Sequence, residues 1–219
     1  MRKRISLKTR RTDLSRDQFR EHYENRHVPL GLSFIDRFQW CRYVRNHVIG
    51  TSGTPVSFDC YAEFWVSERF RDDSLEAFIQ SPEFDVLNVD DRRFLDVTKR
   101  ASFDVQEWVL KRSRSTREVA RKWALVWNHL EDERGARAIA EQIVASLDDS
   151  VVESVLDTAI APVSPGAPFD TVLSLSSSRS EPLALDPSWL PAKGYSVIEI
   201  ESIETPPDQL FKESCEEAS

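Results

Sequence analysis

Glycine, clustered positive charge and long apolar runs are all scarce in this sequence. Only six of the 219 residues are glycine, and none builds the glycine-rich loop that cradles phosphates, so a nucleotide cofactor is not expected. The net charge of −8 argues against nucleic-acid binding, which needs a surplus of clustered Lys and Arg. No apolar run approaches roughly twenty residues, and no apolar signal segment is present, so we expect no membrane association and a cytoplasmic location.

Metal-binding motifs are absent as well. Cys41, Cys60 and Cys215 show no CxxC spacing, and no HxH or HxxxH pair occurs, so a zinc-type site is not predicted. We expect no cofactor, with haem as an alternative because one pocket histidine could ligate its iron. The sequence is, by contrast, rich in large apolar and aromatic residues. Hydrophobic residues make up 40% of the chain and include twelve Phe and six Trp, enough for a core and an apolar pocket.

The pattern of the first half predicts the order β-α-β-β-α-β, a ferredoxin-like unit. Its helices and strands are predicted at 4–9 (strand), 15–28 (helix), 40–49 and 58–66 (strands), 74–80 and 82–94 (helices) and 103–110 (strand). Ser15 and Gln18 have the spacing of a capping box, which favours a helix start at this point. Pro29 disfavours helical geometry at Val28, so the first helix is predicted to end or kink there, with His27 in its last turn.

The second half repeats this order in weaker form. Strands are predicted at 122–130, 151–159, 169–176 and 195–203, and a helix at 131–147. The segment 55–67 aligns with 166–178, so that Phe58-Asp59 corresponds to Phe169-Asp170. We therefore predict an α+β chain with one unit at 1–112 carrying the pocket, a degenerate second unit at 118–205, and an acidic, disordered tail at 206–219.

Several motifs of the first half resemble the EthD-like family of the dimeric α+β barrel superfamily. They are LSRDQFREHYENRHVPL (14–30), RYVRNHV (42–48), FDCYAEFWV (58–66), SPEF (81–84) and FLD (94–96). The resemblance implies two antiparallel sheets that pair into a barrel. A tandem chain could close such a barrel on itself as an intramolecular pseudo-dimer, or form a homodimer. The resemblance also implies a small, mostly apolar organic substrate.

Three side chains are candidates for the chemistry. His27 shares a helical face with Phe19 and Tyr23, and a position near a helix C-terminus would favour its protonated form while burial favours the neutral one. His47 and Tyr43 share a strand face, because strand side chains repeat every two residues. We predict His27 and His47 as an acid–base pair with Tyr43 orienting the substrate. The alternative is that both histidines are structural. His27 would then stabilise the kink at Pro29, and His47 would hydrogen-bond to a loop.

Substrate contacts are predicted from the aromatic and polar residues around these three. The candidates are Tyr23, Trp40, Asn46, Asp59, Tyr61, Phe64 and Trp65. Asp59 and Glu63 have a structural alternative, because buried carboxylates need partners and Arg42 or Arg45 could pair with them. His22 falls off the apolar face and is expected to be solvent-exposed.

The leading hypothesis is a cofactor-independent acid–base enzyme. A dehydratase, cyclase or isomerase acting on a small aromatic or polyketide-like compound fits these residues best. One alternative is a cofactor-free monooxygenase of a phenolic substrate, in which oxygen reacts directly with a substrate carbanion. Another is a non-catalytic accessory protein that binds a small molecule and whose histidines are structural.

Overall fold

The computed structural model describes residues 1–68, 70–112, 119–128, 133–160, 167–183, 185 and 194–212, with the backbone alone at 133 and 134. The predicted β-α-β-β-α-β order of the first half is confirmed. In chain order it comprises β1 (Arg2–Lys8), α1 (Arg16–His22), a π turn (Tyr23–His27), α2 (Val28–Leu32), α3 (Ile35–Phe38), β2 (Trp40–Gly53), β3 (Cys60–Val66), α4 (Asp72–Ile79), α5 (Pro82–Phe94), a 3-10 turn (Val97–Lys99) and β4 (Ala101–Arg112).

The described part of the second half continues with four strands and one long helix. They are β5 (Arg121–Trp127), α6 (Glu133–Ser146), β6 (Val151–Ala159), β7 (Thr171–Ser177) and β8 (Ser196–Glu204), followed by a 3-10 turn (Pro207–Gln209). The 184 and 186–193 positions, between β7 and β8, lie outside the described residues, as does the predicted tail from 213 onward. The tail segment 206–212 includes the 3-10 turn and buries Leu210.

Antiparallel pairing joins these strands into one hydrogen-bonded order. β3 lies between β1 and β2, β7 lies between β5 and β6, and β4 and β8 pair with β6 and β5. The complete order is β1-β3-β2-β8-β5-β7-β6-β4, and it closes into a barrel. This confirms the predicted α+β class and the predicted antiparallel barrel.

The backbone supports the alignment of the two halves. The N–H of Asp59 donates to the carbonyl of Lys8, the last residue of β1, at 2.8 Å. The N–H of Asp170 donates to the carbonyl of Trp127, the last residue of β5, at 3.3 Å. The Asp of the aligned Phe-Asp motif therefore makes an equivalent backbone hydrogen bond in each half. The bond lies at the end of the β1–β3 pair in one half and of the β5–β7 pair in the other.

The chain forms two compact units. Their bounds differ from those of the two units predicted at 1–112 and 118–205. The first contains Met1–His47, Phe58–Ser102 and the chain from Ile203 on, and the second contains Val48–Ser57 and Phe103–Ser202. The end of β2 belongs to the second unit, where the N–H of Thr54 donates to the carbonyl of Tyr195 at 3.2 Å. Gly53 allows this contact, since its φ is +81° and a Cβ there would lie 3.2 Å from the Tyr195 oxygen.

The first helix starts as predicted but continues past its predicted end. Ser15 caps α1 and makes both bonds of a capping box with Gln18. At Pro29 the helix continues instead of ending, because the chain widens into the π turn, where the N–H of Val28 donates to the carbonyl of Tyr23. Pro29 then lies in the first turn of α2, where its missing N–H costs no hydrogen bond. His27 is therefore inside a continuous helical segment rather than at a helix C-terminus.

Candidate functional site

A cluster of aromatic and small side chains holds the π turn and α5 against the sheet of the first unit. Tyr43 of β2 and Cys60, Ala62 and Phe64 of β3 are buried beneath Phe19, Tyr23, Val28, Phe94 and Leu95. The alternate apolar residues of β3 therefore face the helices. Tyr43, Arg45 and His47 lie on the same side of the sheet, because they pair with Phe64, Ala62 and Cys60.

Glu24, in the π turn, is an acidic residue of the interface between the helices and β2. Its carboxylate lies 2.6 Å from Nε2 of His47 and 2.9 Å from Nε of Arg45. Arg45 also donates to Oγ1 of Thr205 and packs over the Tyr43 ring at 4.7 Å. A buried charge such as that of Arg45 requires a partner, and here one carboxylate binds both Arg45 and His47. Sequence patterns did not identify Glu24, because a regular helix does not place it on the face of Phe19 and Tyr23.

Asp90 of α5 makes a second charged cluster with two histidines. Its Oδ2 lies 3.0 Å from Nδ1 of His27, and its Oδ1 lies 3.0 Å from Nε2 of His22. These bonds from His27 and His22 hold the pKa of Asp90 below its ordinary value, although burial opposes the shift. His22 was expected to be exposed; the expectation is wrong, since its side chain is 16% exposed and its ring stacks on Phe94 at 4.8 Å.

Tyr23 links the three predicted catalytic residues without joining them into one hydrogen-bonded group. Its ring lies 5.5 Å from His27 and 5.8 Å from His47, and its hydroxyl lies 3.0 Å from that of Tyr43. Burial raises the pKa of both tyrosines, so both hydroxyls stay protonated at neutral pH. Each histidine is bound by its own carboxylate. The side chain of His27 is 13% exposed and that of His47 only 4%.

The predicted substrate-contact residues lie on both faces of the sheet. Trp40, Phe64 and Tyr43 pack together on the helix side, with ring centroids 4.6–5.0 Å apart. Asn46 lies on the opposite face, opposite Tyr61, and donates to Glu63 at 2.7 Å. One face therefore cannot present all seven candidates to a single ligand.

The predicted partners of the two carboxylates are wrong. Glu63 pairs with Lys3 at 2.8 Å, and Lys3 also lies 4.5 Å from the Trp65 ring. Asp59 binds Arg10, two residues beyond the end of β1, at 3.1 Å. Arg45 is bound to Glu24 instead, and Arg42 to Glu204 at 2.7 Å. Strand alternation alone could not decide these pairs, since a long basic side chain can reach any of several neighbouring positions.

Each unit also contains a cavity away from these residues. The first unit has one of about 350 Å³, lined by Arg11, Thr12, Asp13, Arg92, Leu95, Asp96 and Val97. The second has one of about 510 Å³, lined by Trp123, Ser146, Leu147, Asp148, Ser150, Ser177, Arg179, Glu181, Pro182 and Leu183. In the described residues, no group of three or more His, Cys, Asp or Glu side chains is arranged to hold a metal ion. None of the described helices could span a membrane.

Residues 11–98 match the family model of the EthD domain. This confirms the family resemblance predicted from the motifs of that half, and the match contains both charged clusters. No curated protein matches the chain significantly.

Two solved structures resemble the chain over most of its length. Each is a "putative monooxygenase", one from Lactobacillus acidophilus NCFM and one from Fusobacterium nucleatum subsp. nucleatum. The first has 10% identity and a TM-score of 0.46, and the alignment covers 92% of this chain and 93% of that one. The second has 8% identity and a TM-score of 0.48, with 92% and 91% covered.

Proposed function

We propose that the first unit is an acid–base enzyme of the lyase or isomerase type, with His27 as its general base. The observation that carries this proposal is the bond between Nδ1 of His27 and Asp90. Asp90 is ionised at neutral pH because its pKa is lowered. It therefore accepts the Nδ1 proton of a neutral His27 and leaves the lone pair of Nε2 available for a substrate proton. In the described residues, Nε2 of His27 makes no other hydrogen bond.

The surroundings of His27 favour an aromatic or polyketide-like carbonyl compound as the substrate. The rings of Tyr23 and Phe94 flank the imidazole at 5.5 and 4.9 Å. Removal of a proton beside a carbonyl gives an enolate and a protonated base. The enolate can expel a β-hydroxyl group, which leaves as water when the base returns the proton to it, or it can be protonated at another carbon. In this proposal His47 and Tyr43 are buried positioning residues. They hold Glu24 and Tyr23 in place, and Asp90 fixes the tautomer of His27.

Deuterium exchange into 2-tetralone tests the base directly. The wild-type protein in D₂O is expected to exchange the acidic protons of this aromatic ketone faster than buffer does, as followed by mass spectrometry. His27→Ala should lower the rate by about 100-fold, the usual minimum for loss of a general base. Arg26→Ala is the matched control, because Arg26 is an exposed residue of the same turn.

Two outcomes would overturn the proposal. One is exchange by the wild type no faster than by buffer, and the other is an unchanged rate in His27→Ala. An oxygen electrode run with the same ketone distinguishes the reaction class. Oxygen uptake that depends on the protein would contradict a lyase or isomerase and favour a cofactor-free oxygenase.

A further inference from the structure

The cavity of the second unit lies at the C-terminal end of α6, against β5 and β7. Its wall is formed by the end of that helix, the turn before β6, one residue of β5 and the chain at and after the end of β7. All of these segments belong to the second unit. Small-molecule sites in proteins occupy about 300–1,000 Å³. With a volume of about 510 Å³, the cavity is therefore large enough for a small organic ligand.

One part of the cavity wall is apolar. Trp123 of β5 lies on the helix side of the sheet, because it pairs with Leu175 of the buried core, and its own side chain is buried. Leu147 at the end of α6 and Leu183 after β7 are half-buried and pack against the same core. An aromatic ring bound beside these side chains would exchange contact with water for contact with an indole and two aliphatic groups.

The other part of the wall is charged. Among the described residues, three exposed charged side chains line the cavity: Asp148, Arg179 and Glu181. Two of them neutralise each other, because Arg179 lies 2.9 Å from Oδ2 of Asp148, while Oδ1 of Asp148 accepts the N–H of Ser150 at 2.7 Å. Glu181 makes no hydrogen bond or ion pair within the part of the chain that the structure describes. The balance of charge on the wall is therefore negative and resides on Glu181.

Hydrogen bonds hold the charged part of the wall in place. The N–H of Ser178 donates to the carbonyl of Ser150 at 2.9 Å, which ties the turn that carries Asp148 to the end of β7. The N–H of Arg179 donates to the Ser177 hydroxyl at 3.0 Å. The wall is thus formed by the chain itself before a ligand binds, and this reduces the entropy that binding costs.

We propose that this cavity binds a small organic cation, in which a short aliphatic linker joins an aromatic ring to an ammonium group. The ring lies against Trp123, Leu147 and Leu183, and the ammonium donates to the carboxylate of Glu181. Opposite charge and apolar contact thereby act on the two ends of one molecule. Binding is noncovalent and involves no residue of the first unit, so the site does not depend on the function proposed for His27.

Titration with three ligands of similar size, followed by NMR, tests this site. The ligands are 2-phenylethylamine, the neutral 2-phenylethanol and the anionic phenylacetate. The indole N–H signal of Trp123, assigned by its absence from the spectrum of Trp123→Phe, should shift as the amine is added. The amine should bind about fivefold more tightly than the alcohol, the upper range for an exposed ion pair. Phenylacetate should bind most weakly.

A pair of variants separates contact with Glu181 from a general effect of charge. Glu181→Gln should abolish the preference, so that the amine and the alcohol bind alike. Asp149→Asn is the matched control, because Asp149 is an exposed carboxylate 3.9 Å from Lys111 that does not line the cavity, and it should keep the preference.

Four results would overturn the inference. They are an unshifted Trp123 signal, equal binding of amine and alcohol by the wild type, tighter binding of phenylacetate than of the amine, and an unchanged preference in Glu181→Gln. The titrations do not involve exchange of 2-tetralone, so each of these results would leave the proposal for His27 standing.

Discussion

The two units place a helix on the same kind of antiparallel sheet but fill the helix–sheet interface with different chemistry. In the first unit, the carboxylate of Glu24 is bound to Arg45 and to His47 within that interface, beneath the π turn. In the second unit, the cluster between α6 and its sheet is apolar and contains Leu125, Trp127, Ala136, Ala140, Ile143, Val151, Leu156, Leu173 and Leu175. The aligned Phe-Asp motif closes both strand pairs in the same way.

The difference between the two interfaces distinguishes residues that the fold requires from residues that a functional site would require. A buried ion pair is often no more stabilising than apolar residues of similar size, because the charges lose their hydration. In the second unit the same frame is completed around a cluster of nine buried apolar residues. The charges of the first unit are therefore not needed to form the sheet and helix layers, and their presence favours a functional role for that interface.

Loss of Glu24 should give the largest effect on stability. Glu24→Ala leaves His47 and Arg45 buried without their carboxylate, and breaking a buried pair costs about 3–5 kcal/mol of the free energy of unfolding. Urea denaturation followed by circular dichroism measures the loss. Glu21→Ala is the matched control on α1, because Glu21 is exposed and makes no described contact, and it should stay within about 0.5 kcal/mol of wild type. Equal small losses in both variants would show that the charged interface is dispensable.

A cavity introduced into the core of the second unit should lower the free energy of unfolding by less than the loss of Glu24 does. It should leave the exchange activity unchanged. Ile143 of α6 is fully buried, and Ile143→Ala should lower the free energy of unfolding by about 3 kcal/mol. Deuterium exchange into 2-tetralone should proceed at the wild-type rate in this variant below its melting temperature. Gln142→Ala, on the exposed side of the same helix, should change neither property. A loss of exchange in Ile143→Ala would mean that the apolar unit also supports the site.

Asp90→Asn should show a smaller effect that depends on pH. Its carboxylate is bound by His22 and His27, and a hydrogen bond to a charged group contributes about 2 kcal/mol. Because the folded pKa of Asp90 lies below 3.8, its contribution is complete above the unfolded value and is lost as pH falls through the folded one. The difference in the free energy of unfolding between wild type and Asp90→Asn should therefore shrink as the pH falls below 3.8. A difference that grows in acid would contradict this.

Sequence patterns identified most of the first unit because its elements carry local signals. The capping box at Ser15, the strand alternation of β3 and the proline-started α5 at 82–94 all occur where they were predicted. The π turn has no such signal. Its Tyr23 packs against Phe94, which lies far away in sequence, and helical periodicity does not indicate such a contact, so the end of the helix was predicted wrongly.

The same turn explains which site residues were missed. A regular helix would place Glu24 and His22 off the apolar face, yet Glu24 contacts His47 and His22 contacts Asp90. Asp90 comes from α5, more than sixty residues away in sequence, and helical periodicity carries no information on contacts of that range. Individual candidates such as His27 could therefore be predicted, while their carboxylate partners required the folded chain.

The smallest expected effect comes from the start of the helix that carries the site. Ser15→Ala removes the cap of α1, including the bond its hydroxyl accepts from the N–H of Gln18, and should cost about 1 kcal/mol. Ser33→Ala is the control, because the Ser33 hydroxyl donates only to an exposed helix-end carbonyl. Fraying of the first turn does not reach Glu24 or His27, which the sheet and α5 hold through their own contacts. Exchange of 2-tetralone should therefore be unchanged in Ser15→Ala, and a large loss would show that the π turn depends on the helix before it rather than on its packing.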